Sequence, residues 1–345
     1  MSRIWKCLAA FLAATLLLTG LASTAGCANS QPKWRLQKAL PRTADFHGVW
    51  GSSSSDVFVV GLDGVILHYD GKAWSEMESG TTEPLHGVWG SSPADVFAVG
   101  ESGTILHYDG TAWSATENPP VSADLLAIWG SSARDVYAVG ALGIALHFDG
   151  AKWTSDTGAL KAASSTVRDS TLVVSFYGVW GSSPTDVFLV GSAASGSKME
   201  VRENLIMHYR GTTWVRETTN ADPLCDALCG IWGSSAYDVR AVGPQPTGES
   251  SNFMCYDGRN WRAYDGDLSG RRLKYLIFPP SLNAIWGSSA QDVFVVGDSG
   301  VVLHDNGKEW KIMTSPAKVT LNGLWGSSSR DVFAVGAGGT VLHYS

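Results

Sequence analysis

Charge is scarce in this chain of 345 residues: Asp, Glu, Lys and Arg make up 17% of it, against a usual quarter. The charge present leans negative, a formal −7, which argues against a nucleic-acid surface, since that needs a basic face. Cysteine is sparse, at five residues. Beyond the N-terminus no apolar stretch is long enough to span a membrane. There is no Gly-x-Ser-x-Gly, no phosphate-binding loop and no His-Glu-x-x-His, so no catalytic constellation stands out. What is abundant is glycine (39), tryptophan (15) and apolar residues in general (44%), enough for a core and inconsistent with a disordered chain. This composition suits many short strands joined by tight turns.

The first residues read as an address. Arg3 and Lys6 precede an apolar run from Leu8 to Ala22, too short for a comfortable span and suited to a signal peptide. The run ends in Ser23-Thr24-Ala25-Gly26-Cys27, which resembles a bacterial lipobox, with Thr24 where Leu, Val or Ile is commoner. The resemblance implies removal of residues 1–26 and lipidation of Cys27, with 27–32 as a short tether. An ordinary signal peptide cleaved near Ala28 is the alternative. Either implies the bacterial cell envelope; lipidation adds an anchor on the outer membrane or on the periplasmic side of the inner membrane.

Internal repetition dominates the rest. Trp-Gly-Ser-Ser-x-x-Asp-Val-x-x-Val-Gly occurs seven times, at Trp50, Trp89, Trp129, Trp180, Trp232, Trp286 and Trp325. One unit reads as four strands, a to d, each short and bounded by Gly, Ser or Asp; in the second unit they are 85–89, 95–99, 104–108 and a segment around Trp113. Seven four-stranded units predict an all-β fold, a seven-bladed β-propeller of antiparallel blades spanning 33–345. The seventh unit lacks strand d, and Lys33-Trp34-Arg35-Leu36 supplies a spare one, so an N-terminal strand should complete the last blade and close the ring. A stacked solenoid would need no such complementary ends.

The Trp-Gly-Ser-Ser…His-Tyr-Asp-Gly…Trp repeats resemble bacterial propeller lipoproteins of the WD40/YVTN/BNR-like group, in particular the photosystem II assembly-factor family. The resemblance covers about 33–345, except that the turn before Trp113 has one Gly where the family usually has two. It implies fold more than function, because propellers host unrelated functions.

Residues present in every unit are expected to serve the blade. The strand-b aspartates (Asp56, Asp95, Asp135, Asp186, Asp238, Asp292, Asp331) should close the Gly-Ser-Ser turn through its backbone amides. The strand-c histidines lie in different blades and cannot converge on one metal. Positions that differ are free to serve a ligand. Three residues before each strand-a Trp stand His47, His86, Leu126, Tyr177, Cys229, Asn283 and Asn322. His47, His86, Tyr177, Asn283 and Asn322 are candidate ligand contacts at the channel mouth, although they could simply fill gaps between blades. Strand a carries no Arg in any blade, against a carboxylate-holding sialidase-like site.

Insertions at about 154–171, 192–203, 218–228, 244–252 and 264–280 all occupy d–a or b–c connections, hence one face. Within them Arg271, Arg272, Lys274, Tyr275 and Phe278 form a candidate docking strip. A Cys225–Cys229 disulfide is preferred, because Cys255 in strand c lies too far from strand a for a bridge. Metal and cofactor are not expected. The expected function is a monomeric, membrane-anchored recognition module that binds a protein or glycan through the insertion face, without catalysis. The alternatives are a polysaccharide hydrolase or lyase acting at the channel mouth and an assembly factor for a membrane complex.

Overall fold

The computed structural model describes residues 32–37, 40–165, 172–195, 201–219, 227–244, 253–264 and 280–345. The signal peptide, Cys27, Cys225 and the strip from Arg271 to Phe278 lie outside the described residues. The described strands form seven four-stranded antiparallel sheets. Blade 1 is β2 (Phe46–Ser53), β3 (Asp56–Gly61), β4 (Ile66–Tyr69) and β5 (Trp74–Met77). Blade 2 is β6 (Leu85–Ser92), β7 (Asp95–Gly100), β8 (Ile105–Tyr108) and β9 (Trp113–Ala115). Blade 3 is β10 (Leu125–Ser132), β11 (Asp135–Gly140), β12 (Ala145–Phe148) and β13 (Trp153–Ser155). Blade 4 is β14 (Val173–Ser183), β15 (Asp186–Ser195), β16 (Val201–Tyr209) and β17 (Trp214–Arg216). Blade 5 is β18 (Gly230–Ser235), β19 (Asp238–Val242), β20 (Phe253–Tyr256) and β21 (Trp261–Ala263). Blade 6 is β22 (Leu282–Ser289), β23 (Asp292–Gly297), β24 (Val302–Asp305) and β25 (Trp310–Ile312). Blade 7 is β26 (Leu321–Ser328), β27 (Asp331–Gly336) and β28 (Thr340–Tyr344), completed by β1 (Trp34–Leu36), which pairs Trp34 with Tyr344 and Leu36 with Leu342. The expected closure is therefore present, and the fold is a seven-bladed propeller.

The core lies between blades. Strand b is buried on both faces, and its large side chains reach into the next blade: Phe58 of blade 1 clusters with Leu106 and Trp113 of blade 2. The Trp-Gly pair of the repeat has a steric reason. A Cβ added to Gly90 would lie 2.6 Å from the Trp50 ring, and one added to Gly130 would lie 2.6 Å from that of Trp89. The relation continues around the circle and ends where it began: a Cβ on Gly51 would lie 2.7 Å from the Trp325 ring. Each strand-a indole thus rests on the glycine of the next blade.

Blade 4 departs from the others. β14 and β15 pair three residues beyond the usual ladder, at Val173–Ala194, Val174–Ala193 and Ser175–Ser192, and β16 follows them out to Val201. The described parts of the insertion at 192–203 are therefore strand. The insertion at 154–171, expected as loop, contains the helix α1 (Gly158–Ser164), whose Ala159 and Ala163 are buried against Trp214 and its neighbours.

Gly90→Ala should destabilise the protein by about 1–3 kcal/mol, because the Trp50 ring and the Asp95 carbonyl leave a methyl no room. Urea unfolding of the variant beside wild type measures it; an unchanged midpoint would show that the indole–glycine contact is not tight.

Candidate functional site

The repeated polar residues form a chain in each blade. Strand a carries a bulge late in its course, between Gly51 and Ser53 in blade 1 and at the matching place in every other blade. The bulged residue is the first serine of the motif, and the irregularity turns its hydroxyl toward strand b. Ser52 Oγ donates to Asp56 Oδ2 at 2.6 Å, and Ser91, Ser131, Ser182, Ser234, Ser288 and Ser327 repeat the bond to their own aspartates. The other carboxylate oxygen accepts from the strand-c imidazole: His68 Nε2 lies 2.7 Å from Asp56 Oδ1. His107, His147, His208, His304 and His343 do the same at 2.6–2.7 Å.

This corrects one expectation. The aspartates bond the serine hydroxyl and the histidine rather than the turn amides. The amides are served by the second serine, as where Ser92 Oγ accepts from the Ala94 N–H. The order is serine–aspartate–histidine, so no imidazole touches a serine hydroxyl to activate it. Two hydrogen bonds, from His343 and Ser327, hold the Asp331 carboxyl below the ordinary carboxylate range, although burial pushes it the other way.

Blade 5 breaks the pattern by three coupled changes. Elsewhere a strand-b aromatic stacks on the strand-c histidine, as Phe294 does on His304 at 4.1 Å, and meets the strand-c aromatic of the next blade, as Phe188 meets Tyr256 at 5.4 Å. In blade 5 these positions hold Arg240 and Cys255, and blade 6 has Asp305 where others have Tyr or Phe. Arg240 Nε reaches Asp238 Oδ1 at 3.4 Å, and its Nη1 pairs with Asp305 Oδ2 at 3.1 Å. One guanidinium therefore takes over the histidine's bond to the aspartate and the aromatic contact across the seam. Each departure is readable in the repeats, but the coupling spans two blades.

A second bulge opens strand a, and here the blades differ. The ladder jumps from Phe46 to Gly48, from Leu85 to Gly87, from Leu125 to Ala127, from Phe176 to Gly178, from Leu282 to Ala284 and from Leu321 to Gly323. The residues skipped are His47, His86, Leu126, Tyr177, Asn283 and Asn322. His86, Leu126, Tyr177, Cys229, Asn283 and Asn322 line an axial cavity of about 190 Å³. His47 does not line it; its ring stacks on His86 at 4.8 Å.

Several of these side chains also latch neighbouring blades. Asn283 Nδ2 donates to the Leu321 carbonyl at 3.0 Å and Asn322 Nδ2 to the Phe46 carbonyl at 2.9 Å. His47 Nδ1 does so to the Leu85 carbonyl at 3.2 Å, which requires its proton there. His86 Nδ1, 3.0 Å from His47 Nδ1, is then the acceptor, and its Nε2–H faces Glu101 Oε1 at 3.6 Å. Burial and the neighbouring His47 keep the His86 imidazole below its usual pKa, against the pull of Glu101 and Asp124. Tyr177 Oη contacts Ser192 Oγ at 3.3 Å. Among the described residues no cluster of three or more His, Cys, Asp or Glu side chains fits a metal ion.

Two predictions follow from these contacts. Arg240→Phe alone should cost about 3 kcal/mol, because it strands Asp238 and Asp305, and adding Cys255→His and Asp305→Tyr should recover most of it. Additive losses in denaturant midpoints would show the three positions to be independent. His86 is neutral in both states above about pH 6.5, so its contribution is constant there. As pH falls, the unfolded chain takes up the proton first, and stability drops until the folded ring also protonates. His86→Asn should flatten the stability–pH curve between pH 8 and pH 5; an unchanged slope would contradict the assignment.

No family model and no curated protein matches the chain. Solved structures do. YCF48 bound to a D1 peptide is 15% identical, with 90% of this chain and 94% of that one covered and a TM-score of 0.62. YCF48 from Cyanidioschyzon merolae is 15% identical, with 90% and 98% covered and a TM-score of 0.63. The WD40 β-propeller domain of Doa1 is 14% identical, with 90% and 97% covered and a TM-score of 0.62. The chain shares the propeller fold of these proteins along nearly its whole described length.

Proposed function

We propose that this protein is a recognition module of the bacterial cell envelope that binds a partner protein through its insertion face and is held to the membrane by a lipid on Cys27. The observation that carries the reading is the placement of the insertions. In each blade the d–a and b–c connections emerge on one face, and the five long ones all belong to blades 3 to 6. The a–b and c–d turns opposite keep one length throughout. α1 and the lengthened β14, β15 and β16 rise on the insertion side, giving a rigid scaffold an irregular recognition surface. A protein partner is favoured over a glycan because a propeller of similar fold has been solved with a bound peptide, the D1 peptide of YCF48. An assembly role for a membrane complex is the specific form that the repeat's resemblance to photosystem II assembly factors implies.

A tether of residues 28–32, at most roughly 18 Å long, would keep the short-turn face toward the membrane and the insertion face outward. A photo-crosslinker at Lys161, on the exposed side of α1, should capture one recurrent protein in intact cells, and one at Lys72 or Lys308 in the c–d turns should not. Capture only from the c–d turns would overturn the face assignment. Cys27→Ala should move the protein from the membrane to the soluble fraction; unchanged fractionation would remove the lipid anchor from the account.

A further inference from the structure

The third residue after the strand-d tryptophan holds one place in blades 2 to 6, just past the end of the strand. Thr116, Asp156, Glu217, Tyr264 and Met313 each donate their backbone N–H to the carbonyl of Ile105, Ala145, Ile206, Phe253 and Val302, at 2.8–2.9 Å. Their side chains lie in the seam to the next blade, where Asp156 meets Trp214, Tyr264 meets Trp310 and Met313 meets Trp34. In two seams the occupant is a carboxylate. Asp156 Oδ2 accepts from Trp214 Nε1 at 2.7 Å. Glu217 Oε1 lies 3.0 Å from His208 Nδ1 and accepts from Arg210 Nη2 at 2.6 Å. In a third, Met313 Sδ accepts from Trp34 Nε1 at 3.4 Å.

At the seam of blades 2 and 3 the occupant is the short Thr116, and a cavity of about 310 Å³ takes its place. Its walls include His107, Trp153, Phe97, Phe148, Lys152 and Thr116. Phe97 stacks on His107 at 4.4 Å and meets Trp153 edge-on at 5.8 Å. The arrangement repeats that of Tyr137 with His147 and Trp214, and that of Phe188 with His208 and Trp261. His107 Nε2–H is taken by Asp95, and among the described residues no acceptor meets Trp153 Nε1, as none meets that of Trp74, Trp113, Trp261 or Trp310. The cavity therefore presents an indole donor placed like the one from which Asp156 accepts at the next seam, with Lys152 added and with no carboxylate at the position of Thr116. Glu117 is also on the wall and, like Lys152, is exposed, so solvent weakens both charges.

We propose that this seam cavity binds a carboxylate, the Asp or Glu side chain of a partner protein, with Trp153 Nε1 as the donor, Lys152 as the counter-charge and Phe148 and Trp153 as apolar walls. The site stands apart from the insertion-face reading and does not depend on it.

The test is a titration of the ¹⁵N-labelled protein, following the Trp153 indole N–H signal assigned through Trp153→Phe. The probes are three capped tripeptides: acetyl-Ala-Glu-Ala-amide, its Gln counterpart, and acetyl-Ala-Ala-Ala with a free C-terminus. The Glu peptide should move the signal downfield in a saturable way, and the Gln peptide should not. Thr116→Glu should place the signal near its bound position without peptide and abolish the response, while Thr116→Ser keeps it. Equal responses to Glu and Gln, no response to Glu up to tens of millimolar, or a response to the free C-terminus alone would each overturn the proposal.

Discussion

Each strand-a tryptophan lies on the glycine that follows the tryptophan of the next blade, and this contact sets the spacing of the whole ring. A methyl group at any of the seven glycines would sit within 2.6–2.7 Å of an indole carbon. The contact is directional and cyclic, so it has no end until the seventh indole, Trp325, meets the first glycine, Gly51. Closure also needs a fourth strand for blade 7, which β1 supplies through Trp34 and its packing on Phe294 and Tyr344. The serine–aspartate–histidine chains then stiffen six of the blades inside that ring, with Arg240 standing in for the histidine in blade 5, and the seam clusters bury the strand-b aromatics of those six between blades.

Strand a carries two bulges with opposite uses. The later one is filled by the same serine everywhere and turns inward to an aspartate of its own blade. The earlier one, present in six blades, is filled by His, Leu, Tyr or Asn and turns toward the axis and the neighbouring blade. A bulge is a local device for re-aiming one side chain without disturbing the ladder on either side. The variable bulge joins two jobs, since Asn283, Asn322 and His47 reach carbonyls of the next blade while Asn283, Asn322, His86 and Tyr177 line the axial cavity.

The propeller was legible because a sevenfold repeat averages out local ambiguity and because Trp34 stood as a spare strand-d residue. The partner of each aspartate was not, since spacing alone cannot tell a turn amide from the hydroxyl that a bulge brings round. The helix α1 was missed for a tertiary reason: seven residues do not hold a helix alone, and burial of Ala159 and Ala163 against blade 4 does it. The Arg240–Asp305 pair joins positions 65 residues apart across a seam, so each substitution looked isolated in the sequence. The cavity over Thr116 reflects missing bulk, which shows only when the equivalent Asp156 and Glu217 are seen in place. The candidate positions at the channel mouth were named from their variation, and the bulge explains why that variation is tolerated.

The account divides the chain into shared positions that build the ring and divergent ones that meet a partner. Hydrogen exchange of the lipid-anchored protein, in its own membranes and after extraction from them, tests that division directly. Contact of the insertion face with its partner should protect amides on α1, on the outer ends of β14, β15 and β16, and around the variable bulges, and leave the a–b turns and the c–d turns other than 149–152 unchanged. Protection confined to those short turns, with the insertion side exchanging equally in both samples, would contradict it.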